Sequence, residues 1–119
     1  MTKRARQQGE LESSILDVLW RSKNPLTSQE ILEKVGDGDL AITTILTVLS
    51  RLTDKELVVR VQGEGRSLLF SAAQSREQHT ADLMLKLVGE QSNPALAFSA
   101  FTKGLTASQL KALRKTLEG

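Results

Sequence analysis

The chain has 119 residues, 39% of them hydrophobic and 25% charged, with a formal net charge of +2 and no cysteine. This length and balance suit one small domain with an appendage, argue against global disorder, and exclude disulfides, thiol catalysis and cysteine-based zinc sites. No apolar run approaches the length of a membrane span, and "MTKRARQQG" lacks the apolar stretch of a secretion signal, so a cytoplasmic protein is expected.

"GELESSILDVLWRS" carries Leu11, Ile15, Val18, Leu19 and Trp20 at helical spacing and predicts a first amphipathic helix. In "NPLTSQEILEKVG", Thr27 and Glu30 fit a capping box and Gly36 stands where a helix stops. Ile31, Leu32 and Val35 form the apolar side of this short second helix. "GDGDL" is a turn, and a third helix follows from about Ala41 to Lys55. At about 100° per residue, Ile42, Ile45, Leu46, Val48, Leu49 and Leu52 share an arc of roughly 160°, expected to be buried. Thr43, Thr44, Thr47, Ser50, Arg51, Asp54 and Lys55 fill a separate arc of roughly 140°. A solvated helix face normally uses Glu, Lys or Gln, because Thr and Ser have poorer helix propensity.

"LVVRVQGEGRSLLFSA" comes next. Val59 and Val61 alternate with Arg60 and Gln62, Gly63 and Gly65 flank a tight turn, and Ser67 to Ala72 form a second apolar strand. The pattern predicts a β-hairpin with a basic, glycine-rich tip. Trp20 and Phe70 are expected in the core. The order of three helices and a hairpin, with a short second helix and a longer third, predicts a mainly α winged helix-turn-helix over residues 1–74.

Residues 75–119 change character. "SREQHTADLMLKLVGEQ" is helical, with Ala81, Met84, Leu85 and Val88 on one side and Leu83 and Leu87 widening it. "NPALAFSAFTKG" begins with Asn93 as a cap and Pro94 at the first helical position, and Ala95 to Phe101 leave almost no polar face. "LTASQLKALRKTLEG" has a Thr106/Gln109 capping box. Three short helices cannot bury this much apolar surface among themselves, and each fully buried Leu or Phe is worth roughly 1.5–3 kcal/mol. A second copy of the chain across a two-fold axis is therefore expected, making this a helical dimerisation region. Its expected contact residues are Leu83, Leu87, Leu96, Phe98, Phe101, Leu110, Leu113 and Leu117.

The hydroxyl face of the third helix carries the functional expectation. In a DNA-reading helix, Thr and Ser donate to phosphates or base edges, and Thr methyls touch thymine methyls. Thr43, Thr44 and Thr47 are expected to face a groove, with Arg51 reaching a phosphate or a guanine and Lys55 on the same arc. Asp54 opposes this but lies at the C-terminal end. Arg66 at the wing tip and Arg60 at the strand start would gain from the phosphate field; an ordinary hairpin with solvated arginines is the alternative, and Glu64 favours it. The arm with Lys3, Arg4 and Arg6 either adds phosphate contacts or is a commonplace basic terminus, and the sequence does not choose.

Bulk charge does not vote, because Lys/Arg and Asp/Glu balance through residue 75. Asp37 and Asp39 lack the further ligands of a calcium loop. His79 has no Cys or second His and no nucleophile to serve. No enzyme constellation, metal site or cofactor is expected. Two other classes stay open: a winged-helix protein-interaction module without specific DNA binding, and a small-molecule-sensing regulator with an apolar pocket.

The segments "GELESSILDVLW", "PLTSQEILEKV", "LAITTILTVLSRLTDKELV" and "GRSLLFSAAQSREQHTADLM" resemble the BlaI/MecI family of penicillinase repressors. The resemblance runs from about residue 9 to 117, and "TTILTVLSRL" is its most specific part. It implies a homodimeric repressor of a palindromic operator with TACA/TGTA-like half-sites, in a β-lactam-response or related stress operon. It also implies Thr43, Thr44 and Thr47 toward the groove, with Arg51 positioned for backbone or base. Some members are inactivated when a membrane sensor protease pathway leads to cleavage before a Phe. The matching bond is Ala100–Phe101, with Ala100 where the family usually has Asn. Copper-responsive relatives carry a C-terminal cysteine cluster, which this chain lacks.

Overall fold

A computed structural model describes residues 8–36 and 38–119. Its elements are α1 (Gln8–Arg21), α2 (Ser28–Val35), α3 (Ile42–Asp54), β1 (Val58–Gln62), β2 (Leu68–Ala72), α4 (Arg76–Gly89), α5 (Pro94–Gly104) and α6 (Ala107–Glu118). Two compact units divide them, the first ending at His79 and the second covering Thr80–Gly119. No helix of the described residues is long and apolar enough to cross a membrane.

Local chemistry sets most helix ends. Thr27 caps α2 in a reciprocal box: its hydroxyl accepts from the Glu30 amide at 3.1 Å, and the Glu30 carboxylate accepts from the Thr27 amide at 2.9 Å. Gly36 ends α2 at φ +73°, a left-handed conformation that glycine adopts without a Cβ penalty. The end of α3 is less usual. Glu56 takes φ +64°, the Glu56 amide donates to the Thr53 carbonyl, and the Leu57 amide donates to the Leu52 carbonyl at 2.9 Å. This is a Schellman turn with glutamate in the glycine position, and it turns the chain from α3 into β1.

Leu11, Ile15, Leu16 and Leu19 of α1, Ile31 of α2, Ile45, Val48, Leu49 and Leu52 of α3, and Val58 and Phe70 of the hairpin form the core with Leu26. Burial of each large apolar side chain contributes about 1.5–3 kcal/mol. The wing is tied to the helices by backbone: Leu26 accepts from the Phe70 amide at 2.7 Å and donates to its carbonyl at 2.9 Å. Leu26 thereby extends the two-stranded sheet by one bridge.

Two expectations about burial need correction, and the hairpin decides a third point that the sequence leaves open. Leu46 is 44% exposed. The buried arc of α3 narrows to about 100° around Ile45, Val48, Leu49 and Leu52, and Leu46 lies beyond its margin. In the hairpin, Val58 is buried while Val59 is 46% exposed. The register pairs Val58 with Ala72 and Arg60 with Phe70, so Val58 shares the face of the buried Phe70 and Val59 faces away. Trp20 is half-buried rather than in the core: it packs against the core's edge and donates its indole N–H to the Gln74 carbonyl at 3.0 Å.

That indole bond belongs to a group of contacts that carries the first unit into α4. The Arg76 guanidinium sits 5.3 Å over the Trp20 ring and 2.8 Å from the Asp17 carboxylate, and the His79 ring lies 5.4 Å from Trp20.

In the second unit, Asn93 accepts from the Leu96 amide ahead of Pro94, and Thr106 with Gln109 forms a second capping box. The helices are well capped, yet none of α4, α5 or α6 contains a buried residue.

Candidate nucleic-acid interface

The helix α3 is held by one side and open on the other. Ile45, Val48, Leu49 and Leu52 are buried, whereas Thr43, Thr44, Thr47, Ser50, Arg51 and Asp54 are exposed. Thr43, Thr44, Thr47 and Arg51 line one shallow depression whose floor includes Val48. Arg51 forms no ion pair among the described residues. The four side chains that the sequence groups on spacing are therefore adjacent and accessible.

Their hydroxyls are not equivalent. The Thr47 hydroxyl donates to the Thr43 carbonyl one turn back, at 2.9 Å, so its lone pairs and methyl are what it presents outward. The Thr43 and Thr44 hydroxyls make no such bond among the described residues and keep their protons for an outside acceptor. The amino end of α3 is also open. Ala41 occupies the cap position and supplies no side-chain hydrogen bond, unlike Thr27, Asn93 and Thr106 at α2, α5 and α6. The positive end of the helix dipole stands there, a feature that favours an anion.

Lys55 does not join this group. Its ammonium lies 3.0 Å from Glu12 of α1 and is engaged there. The wing arginines are both exposed, Arg60 on β1 opposite Phe70 and Arg66 in the turn, and neither forms an ion pair among the described residues. The tip itself is fixed. The Gly63 amide donates to the Ser67 carbonyl at 3.0 Å, the Ser67 hydroxyl donates to the Glu64 carbonyl at 2.7 Å, and Gly65 adopts φ +65°. A Cβ on Gly63 would stand 2.5 Å from the Ser67 hydroxyl, which accounts for glycine at that position. Arg6, with Lys3 and Arg4, lies outside the described residues, as does Asp37.

The second unit presents a different surface. Leu83, Met84, Leu85, Leu87, Leu96, Phe98, Phe101 and Leu117 are all exposed, and Leu110 and Leu113 are half-buried. Met84, Leu87, Val88, Ala97, Phe98 and Phe101, with Gln91, line an open trough between α4 and α5. So large a run of accessible apolar side chains is characteristic of a surface that another molecule covers. The Ala100–Phe101 bond lies within α5, so a protease acting there has first to unwind that stretch of helix.

Two exposed residues are not legible as such in the sequence. Helical spacing groups Leu46 with the core, although its position at the edge of the apolar arc is a signal. The alternation of Val59 and Val61 with Arg60 and Gln62 leaves the inner face of the hairpin open, and no local signal marks Val59 as exposed.

Three helices, a bridging Leu26 segment and an antiparallel wing define a winged helix-turn-helix protein. Residues 8–119 match the penicillinase repressor family, and the chain belongs to that family. The transcriptional regulator BlaI of Mycobacterium tuberculosis, matched alike in strains CDC 1551 and H37Rv, is 30% identical over 113 residues, covering 92% of this chain and 81% of that protein. Among solved structures, the ferric uptake regulator Fur of Helicobacter pylori superposes with a TM-score of 0.51 at 12% identity, over 76% of this chain and 72% of that one. The E41A mutant of Lactococcus lactis ZitR superposes with a TM-score of 0.50 at 16% identity, over 99% of this chain and 76% of that one. At those identities the likeness concerns the fold alone.

Proposed function

We propose that the chain is a homodimeric transcriptional repressor that binds a palindromic DNA operator. In this reading α3 enters the major groove, the wing lies along the backbone, and the second unit joins two copies. One observation carries it: α3 is anchored through four buried residues and leaves Thr43, Thr44, Thr47, Ser50 and Arg51 exposed. Short hydroxyls allow a helix to approach a duplex closely, and Thr43 and Thr44 hold unengaged donors where phosphate and base acceptors would stand. Family membership and the likeness to a transcriptional regulator support the same reading. The apolar trough of the second unit supports dimerisation, because α5 and α6 are only 11 and 12 residues long and helices this short are marginal without a packed face. Two protomers would then meet half-sites about one helical turn of DNA apart.

The test is a titration of the purified protein against random duplexes and against duplexes selected from a random pool, at two salt concentrations. Selected duplexes with two-fold symmetry, bound more tightly than random ones and less tightly as salt rises, are the expected outcome. Equal and salt-independent affinity for all duplexes would overturn the reading in favour of a protein-interaction module. A β-lactam-response or related stress operon is the family's implied target, and mapping the selected motif onto the source genome tests it.

A further inference from the structure

We propose that Leu46 is a specificity-determining residue that selects thymine in the operator through its C5-methyl group. The proposal rests on the reading of α3 as the groove-entering helix and adds a base preference to it.

Leu46 is 44% exposed, and its neighbours decide what that exposure means. A single surface leucine ordinarily needs no explanation. This one stands one turn after Thr43, beside Thr47 and one turn before Ser50, all exposed. Taking Thr43 as the centre of the open face, Leu46 projects about 60° to one side, while Arg51 and Thr44 project about 80° and 100° to the other. The hydroxyl and guanidinium groups on one flank are suited to phosphates and polar base edges. The opposite flank ends in an isobutyl group with no donor or acceptor.

A leucine pressed against a major-groove edge discriminates by what it fails to do. Facing a guanine, cytosine or adenine edge, it would exclude water from donors or acceptors and offer no replacement, which weakens binding. The C5-methyl of thymine is the apolar feature of that edge, and against it Leu46 buries carbon on both sides. The position on the flank away from Thr44 places this contact at a different base step from the one Thr44 and Arg51 would meet.

The experiment uses the full chain and duplexes it has selected from a random pool. Each thymine of the half-site is replaced in turn by deoxyuridine, which lacks the C5-methyl, and affinity is measured for the parent, Leu46→Ala and Leu46→Gln. The parent is expected to lose roughly fourfold per half-site at one thymine, the equivalent of one buried methyl. Leu46→Ala is expected to bind the thymine and deoxyuridine duplexes equally, and Leu46→Gln to select a different base at that position. Melting curves matching the parent's are expected for both variants, since Leu46 is not in the core. A thymine penalty that persists undiminished in Leu46→Ala, or no thymine at which the methyl matters, overturns this proposal while leaving the repressor reading intact. A parent that enriches no duplex overturns both.

Discussion

The Thr47 hydroxyl donates to the Thr43 carbonyl across 2.9 Å, while the neighbouring Thr44 keeps its hydroxyl unengaged among the described residues. Thr44 and Thr47 are alike in chemistry and differ in what they can offer a phosphate. A phosphate only accepts hydrogen bonds, so Thr44 can serve it directly and Thr47 only by giving up its internal bond. Thr44→Val is expected to weaken binding of a selected duplex by about 1.5–3 kcal/mol, the value of a hydrogen bond to a charged group. Thr47→Val should change it less. Equal losses in parallel titrations would refute the distinction.

Arg51 on α3 and Lys55 at its C-cap lie one turn apart and should behave differently. Arg51 is unpaired among the described residues, and Lys55 is bound to Glu12. Arg51→Ala is expected to weaken duplex binding and to reduce the slope of log affinity against log salt by about 0.9 for each phosphate left without its cation. Lys55→Ala should leave that slope nearly unchanged and lower folding stability instead. The stability loss should be about 0.2–1 kcal/mol, because the lysine side chain is 52% exposed and solvent screens the pair. Salt titrations and denaturant unfolding of the two variants check both halves.

Glu30 supplies a pH dependence with a defined sign. Hydrogen bonds from the Thr27 amide and hydroxyl, with a smaller contribution from Lys34, hold its carboxyl below the usual glutamate range. The folded state therefore releases this proton more readily than the unfolded chain does. The stabilisation is complete above the unfolded pKa of about 4.3 and is lost as pH falls through the lower folded value. Glu30→Gln keeps an acceptor for the Thr27 amide but cannot titrate. Its stability is expected to fall less steeply than the parent's across the acid range, measured by denaturant unfolding at a series of pH values.

Phe98 and Phe101 are exposed on the lining of the second unit's trough. If a second copy covers that trough, a carboxylate there would be buried without a partner, which is strongly unfavourable. Phe98→Asp is expected to shift the sedimentation-equilibrium mass from dimer to monomer at micromolar concentration. The first unit should keep its helical signal and its Trp20 emission, since the core of α1, α2, α3 and the hairpin lies wholly within it. An unchanged mass would remove this trough from the dimer interface.

Features made within one or two turns are legible in the sequence. The Thr27/Glu30 and Thr106/Gln109 boxes, the Asn93–Pro94 start of α5 and the Gly36 stop of α2 each join residues at most four positions apart, so spacing alone specifies them. The separation of α3 into a core side and a hydroxyl side follows from the same helical period. Packing between distant segments resolves what the local pattern leaves degenerate. Either face of a two-stranded ribbon satisfies an alternating sequence; the Leu26–Phe70 bridge and the Schellman turn at Glu56 select the face that buries Val58 and turns Val59 outward. The width of the buried arc on α3 depends on how closely neighbouring elements approach it, and they stop short of Leu46. Lys55 likewise finds its partner 43 residues away, at Glu12. Only the folded chain makes these choices, because they act between residues that no local periodicity relates.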